Sequence, residues 1–307
     1  MKDKSITLVC ITTIKHELSE FAIEKTLESI PIDEVLVFSD KKFNLSVGYH
    51  FFDLKGPINI GQYSTIILKE LHKFIKTSHV LIIQYDGFAT KKEFWSEDFL
   101  NYDFVGSVTN THHSHIKDSK EFFTKNRNEK ILDVNKIYEK PTWISLGGGF
   151  SLRSKKFLEA CNNIEDRLPM EKGYYIIPED MCGCFFNRKH LEEKYDIKFA
   201  PIDIGMNFSC ELYSAYDHCL GFHGWYNIPF FLSEEECFYY MENLKTWKES
   251  DVEMNYRRME LHNLQWNCKL KSYVCMVDFL EKKYKLSEFW STELERFKKE
   301  RVINANT

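Results

Sequence analysis

The sequence predicts an α/β fold, a mostly parallel sheet flanked by helices and followed by an α-helical C-terminal extension. Three observations lead there. Short β-rich runs alternate with amphipathic helical stretches through the first half; polar, glycine-flanked residues sit where those runs stop; and from residue 233 the texture changes to Leu, Met, Tyr and Phe at helical spacing among charges.

In chain order the spacing predicts a strand at 6–14, a helix at 17–29, strands at 34–39 and 49–54, a helix at 62–76 and a strand at 79–84. That order implies βαβ units. Strands are expected at 103–108 and 143–153, separated by a polar stretch rich in His, Lys and Asn that reads as a mobile loop over a site. A helix at 154–164, a second loop, a helix opening at Pro178 and a strand at 197–208 complete the core, and the boundary with the extension falls between 232 and 233. No internal repeat or low-complexity segment is visible.

With 307 residues, 43% of them hydrophobic and 15% aromatic, the chain suits one large core plus an appendage and is too apolar for disorder. A net charge of -5 gives no reason to expect nucleic acid as a partner. The apolar run that follows Lys2 and Lys4 is interrupted by Thr7, Thr12 and Thr13 and has no cleavage site after it, so it reads as a core strand and not a signal peptide. No apolar run approaches the roughly 18 residues of a membrane span, so a cytoplasmic protein without a transmembrane segment is expected. Nine scattered cysteines without a CxxC pair argue against a disulfide framework and a zinc ribbon.

In open parallel sheets ligands collect at the carboxyl ends of the strands, which singles out Thr12 and Thr13, Ser39 and Asp40, and Tyr85, Asp86 and Gly87. Asp86 ends an apolar strand and precedes a glycine. It suits a carboxylate that holds a divalent ion, and equally a carboxylate that caps a turn. Gly147, Gly148 and Gly149 mark a close approach of backbone or ligand, or a simple bulge, and the segment lacks the ending of a phosphate-binding P-loop. Glu179 and Asp180 open a helix whose amino end would keep them ionised, as helix stabilisers or as a weak general base. His223 lies between Gly221 and Gly224, approachable by a metal or phosphate, or simply structural. His112, His113 and His115 read as part of a solvated loop.

Taken in order, the words Gln84 to Phe88, Trp95, Phe99 to Gly106, Gly147 to Arg153, Pro178 to Asp180, Phe208 and Ser209 with Glu211, and Gly221 to Gly224 resemble the DUF5672 family of GT-A-like glycosyltransferases. The likeness spans roughly residues 6 to 230. It implies a GT-A-like nucleotide-sugar-binding catalytic domain over 1–232, Mn2+ or Mg2+ as cofactor, a nucleotide-sugar donor, and a glycan or glycoconjugate acceptor, as in polysaccharide biosynthesis. By that resemblance Thr12, Thr13, Ser39, Asp40, Tyr85, Gly148, Gly149 and Arg153 would bind the donor, and Asp86 and His223 the metal. Asp180 would be the base of an inverting transfer, with Glu179 as the alternative base or as a contact to the acceptor. The sequence departs from the family's DxD-type motif, because Gln84 stands at the first acidic position. Two rivals remain: an inactive sugar-nucleotide or glycan-binding module, and a metal-dependent phosphodiesterase or nucleotidyltransferase, which usually gathers more carboxylates than these.

Overall fold

The computed structural model describes residues 4–111, 142–170, 173–211 and 218–243. The chain divides into two compact units, Met1–Phe231 and Leu232–Thr307. In the second unit the described residues include a helix, Glu234–Asn243; the rest of the expected helical extension lies outside the described residues, as do residues 112–141 of the polar stretch expected between 108 and 143, with its histidines.

The first unit is mixed α/β. Strand β1 (Ile6–Thr12) leads into α1 (His16–Ser29), followed by β2 (Glu34–Ser39), β3 (His50–Asp53), α2 (Ile60–Thr65), β4 (His79–Ile83) and β5 (Gly87–Ala89). Short strands β6 (Phe104–Val105), β7 (Val108–Asn110) and β8 (Trp143–Ser145) precede β9 (Ser151–Ser154), and a hairpin of β10 (Arg167–Met170) and β11 (Gly173–Ile176) follows. The last strands are β12 (Ser209–Cys210) and β13 (Gly221–His223). The central sheet runs β3-β2-β1-β4-β9-β6, with β3, β2, β1 and β4 parallel and β9 antiparallel to both neighbours.

Every residue of β1 and β4 is buried, because both sheet faces are covered. On one face α1 contributes Leu18, Ala22 and Ile23, spaced to share one side of the helix. On the other, Val9, Ile11, Leu36, Phe38, Val80 and Ile82 join Ile67, Leu68, Leu71 and Phe157 in one core. Each of these larger aliphatic side chains contributes about 1.5–3 kcal/mol by leaving water. Asn59 starts α2 through a reciprocal capping box with Gln62. The predicted single helix at 62–76 changes pitch instead, to a π turn at Ile66–Glu70 and a 3-10 turn at Leu71–Lys73, coinciding with the β-branched run Thr65-Ile66-Ile67.

Three other expectations need correction. The predicted strand at 143–153 is two strands, β8 and β9, because the three glycines turn the chain between them. The loop expected before Pro178 is the β10–β11 hairpin. The segment 197–208 pairs as a strand only at Phe199, which bridges Phe104, before Pro201 starts the helix Ile202–Phe208.

The direction of β9 positions everything that follows. Its pairing sets Ser151 opposite Ile82, so residues 147–150, which precede it, emerge at the carboxyl end of β4. Phe150 anchors that entry by stacking on Phe208 at 4.7 Å, both rings fully buried. Phe150→Ala should destabilise the fold by about 3–5 kcal/mol, read as a lower denaturant midpoint; a loss under 1 kcal/mol would mean that the ring does not anchor the loop.

Candidate functional site

β4 ends at Ile83, and reciprocal backbone bonds between Gln84 and Gly87 (2.9 and 3.0 Å) close a tight turn with Tyr85 and Asp86 at its corner. The chain then returns as β5, antiparallel to β13, which sets His223 opposite Gly87. Gly224, at φ +92°, donates its backbone N–H to the carbonyl of Asp86 at 2.8 Å, locking the two ends of the small sheet together. The Oδ1 of Asp86 is buried without a hydrogen-bond partner.

The glycines of 147–149 are seats for other side chains. A Cβ at Gly149 would overlap Nε2 of His223, and one at Gly87 would lie 2.9 Å from Cδ2 of the same ring, so the imidazole rests between two bare backbones. A Cβ at Gly148 would overlap Oε1 of Glu179 and lie 2.9 Å from Cβ of Asp180. One at Gly147 would overlap the hydroxyl of Ser107 and lie 2.7 Å from Oε2 of Glu211. Asp86, His223 and Asp180, distant in sequence, thus share one cluster around this loop.

Two cations stand in the cluster. Arg153, fully buried on β9, donates from Nη2 to Glu179 Oε1 at 2.8 Å and from Nε to the Ser151 hydroxyl at 3.0 Å. Burial would lower its pKa, but Glu179, together with Cys184 and Tyr63, outweighs burial and keeps it charged. His223 Nδ1 lies 3.0 Å from Glu211 Oε1, while Ser107 donates to the other Glu211 oxygen. Burial would lower the imidazole too, yet the charge and hydrogen bond of Glu211, with Asp86 and Asp180, raise it to about 9. Glu179 and Glu211 therefore each have a cationic partner.

The remaining carboxylates respond to the lack of one. Burial raises Asp86 against the pull of His223. Asp180 accepts a hydrogen bond from the Met181 backbone N–H at 2.6 Å, at the start of the π turn Met181–Phe186. The sequence suggested that the helix end would hold this group ionised; instead burial, then the nearby Glu179, push it up to about 7. At that value the carboxylate is a stronger base than an ordinary aspartate and still ionises near neutral pH.

Beside the cluster, at the carboxyl ends of β1 and β4, opens a cavity of about 250 Å³. Ile11, Ile14, Ile58 and Ile60 line it together with Thr12, Thr13, Asn59, Tyr63, Gln84 and Tyr85, an uncharged set. Gln84 is fixed by donating from Nε2 to the Tyr63 hydroxyl at 2.8 Å.

Of the residues singled out from the sequence, Thr12, Thr13 and Tyr85 line the cavity, and Asp86, Gly148, Gly149, Asp180 and His223 meet in the cluster. Ser39 and Asp40 are not part of either: the Ser39 hydroxyl is fully buried and accepts from the Lys41 backbone, while Asp40 pairs with His16 at 2.7 Å, which lowers its pKa. Arg153 and Glu179 are buried in their own ion pair, which leaves neither exposed to a donor or an acceptor. Sequence reasoning gave no role to Ser107 or Glu211; the only signal for Glu211 was its place in a family word.

Residues 46–223, more than half of the chain, match the family model described as "Protein of unknown function (DUF5672)". No curated protein matches the chain.

Two outcomes follow from the site's packing and charge. Gly149→Ala should destabilise the protein by about 1–3 kcal/mol through overpacking, and Gly149→Ala combined with His223→Ala should recover about 1 kcal/mol or more, because the ring it collides with is gone; strict additivity in chemical denaturation would refute that contact. Asp180, raised in the folded state from 3.8 to about 7, contributes stability that is full below its unfolded pKa and lost as pH rises through about 7. The thermal midpoint of the unliganded protein should therefore fall across that interval, and Asp180→Asn should flatten the fall; an unchanged slope would assign it to other groups.

Proposed function

The chain belongs to the DUF5672 family, and from that premise we propose that it is a metal-dependent, GT-A-like glycosyltransferase that moves a sugar from a nucleoside-diphosphate donor to a hydroxyl of a glycan or glycoconjugate. The observation that carries this reading is the convergence of Asp86, His223 and Asp180 on one glycine-lined cluster beside an uncharged cavity at the carboxyl ends of parallel strands.

The cavity's neutral walls suit the nucleoside of the donor, with Thr12, Thr13 and Tyr85 against it. The phosphates would lie toward Asp86 and His223. Those two residues fit Mn2+ or Mg2+: Asp86 presents a buried oxygen without a partner, and His223, engaged at Nδ1, would offer Nε2 once the metal displaces the proton that the imidazolium carries there. Among the described residues no group of three His, Cys, Asp or Glu side chains surrounds a metal position, so the donor's phosphates and water would supply the remaining ligands. The metal would offset the charge on the departing diphosphate.

Asp180 is the base of this scheme. Its carboxylate takes the proton of the acceptor hydroxyl as that oxygen bonds to the anomeric carbon, and the bond from that carbon to the diphosphate breaks on the opposite side, inverting its configuration. A pKa of about 7 matches such a role. Glu179, held by Arg153, fixes the wall behind it.

The second reading is an inactive nucleotide-sugar-binding module, favoured by Gln84, an amide locked to Tyr63 where the family motif has an acid. Turnover separates the two. Incubated with Mn2+ and a panel of nucleotide sugars, the chain should release nucleoside diphosphate from at least one; donors that shift the thermal midpoint and are never cleaved, with or without acceptors, would favour the module. Asp86→Ala should abolish metal-dependent donor binding. Asp180→Asn should keep donor binding and lose transfer by about 10² to 10⁴-fold; transfer near wild-type rates in Asp180→Asn would remove it as the base.

A further inference from the structure

Outside the residues given a role above, Glu211 has the most constrained carboxylate in the cluster. It follows β12 directly, and both of its oxygens are engaged, Oε1 with His223 Nδ1 at 3.0 Å and Oε2 with the Ser107 hydroxyl. Its backbone is held as well: the buried amide of Asn227 donates to the carbonyls of both Glu211 (3.2 Å) and His223 (2.8 Å). Gly147 leaves the space in which Ser107 and Glu211 meet, since any Cβ there would overlap the hydroxyl. Both oxygens are thus tied to protein groups. An ionised carboxylate only accepts hydrogen bonds, so the proton between Glu211 and His223 belongs to Nδ1 of the ring. When the imidazole is neutral, that assignment leaves the lone pair on Nε2, the atom beside Gly149.

We propose that Ser107 and Glu211 form the positioning pair of the site: Ser107 holds Glu211, and Glu211 fixes the ring orientation and tautomer of His223 so that Nε2 is the atom presented to the ligand. This deepens the glycosyltransferase reading and rests on it for the identity of the ligand, a divalent cation bound with the donor's phosphates. The ring-orientation part is a property of the protein alone.

The test uses the full chain, Mn2+ alone as the probe, and two readouts. Free Mn2+ is followed by electron paramagnetic resonance, and the Nδ1–H of His223 by proton NMR of histidine-15N-labelled protein, assigned by its disappearance in His223→Ala. Glu211→Ala should weaken Mn2+ binding by about 10 to 100-fold, the usual effect of losing a carboxylate behind a ligating histidine, and should remove the hydrogen-bonded Nδ1–H signal. Glu211→Gln, which retains an acceptor oxygen, should keep the signal and recover part of the affinity, a rescue that a merely structural role would not show. Should Glu211→Ala fail to fold, Ser107→Ala carries the test, with a smaller loss in the same direction. Unchanged Mn2+ affinity together with an unchanged Nδ1–H signal in a folded Glu211→Ala protein overturns the proposal. If the wild-type chain binds no Mn2+, the metal reading of the site fails, and the Nδ1–H signal alone decides the role of Glu211: its loss in Glu211→Ala upholds the pair, and its persistence overturns it.

Discussion

The site depends on the bareness of one backbone. Over residues 147–149 the positions that side chains would occupy are filled by neighbours: Ser107 and Glu211 at the first, Glu179 and Asp180 at the second, His223 at the third. Glycine loses more conformational freedom on folding than any other residue, and three in a row carry a corresponding penalty in stability. What the penalty permits is contact among groups from four segments that no ordinary side chain would let so close.

Close contact among charged groups creates a second constraint, which the protein meets by unequal pairing. Glu179 and Glu211 are matched by Arg153 and His223, whereas Asp86 and Asp180 are left with raised affinity for a proton. Burial decides the outcome at Asp180 against the helix end that it caps, because loss of water around a carboxylate outweighs the partial charge of a few backbone amides. A buried pair such as Arg153 and Glu179 is weak evidence for stability in itself, but removing either partner strands the other charge. Its clearer contribution is to hold the wall from which Asp180 projects.

Much of this was legible in the sequence, and the limits have identifiable causes. The buried strands β1, β2 and β4 show as β-branched runs, and the parallel order follows from their alternation with helices. Asp86, Gly149 and His223 stood out because glycine beside a polar residue marks a close approach. The helix at Ile202–Phe208 did not, since its alternating apolar residues imitate a strand and only Pro201 betrays the start. Arg153 was legible as a cation but not as a buried one, because its partner Glu179 lies far along the chain. Ser107 gave no signal at all: a serine after a short strand is ordinary until the fold brings Glu211 to it. Long-range pairing of this kind is absent from local pattern.

The small sheet of β12, β13 and β5 has strands of only two or three residues, against five to seven in β4 and β1. Few backbone hydrogen bonds secure it, and side-chain burial holds it instead: Phe88, Cys210 and Phe222 are fully buried, and the rings of Phe88 and Phe222 meet at 4.8 Å. His223 and Glu211 ride on that sheet, while Gly149 and Arg153 belong to the large one. The cluster is therefore a seam between two separate sheets, joined through side chains and the turn at Gln84–Gly87. Any molecule that bridges the seam stabilises both sheets together by mass action. Hydrogen exchange at Phe222 would register an occupant there without any chemistry having taken place.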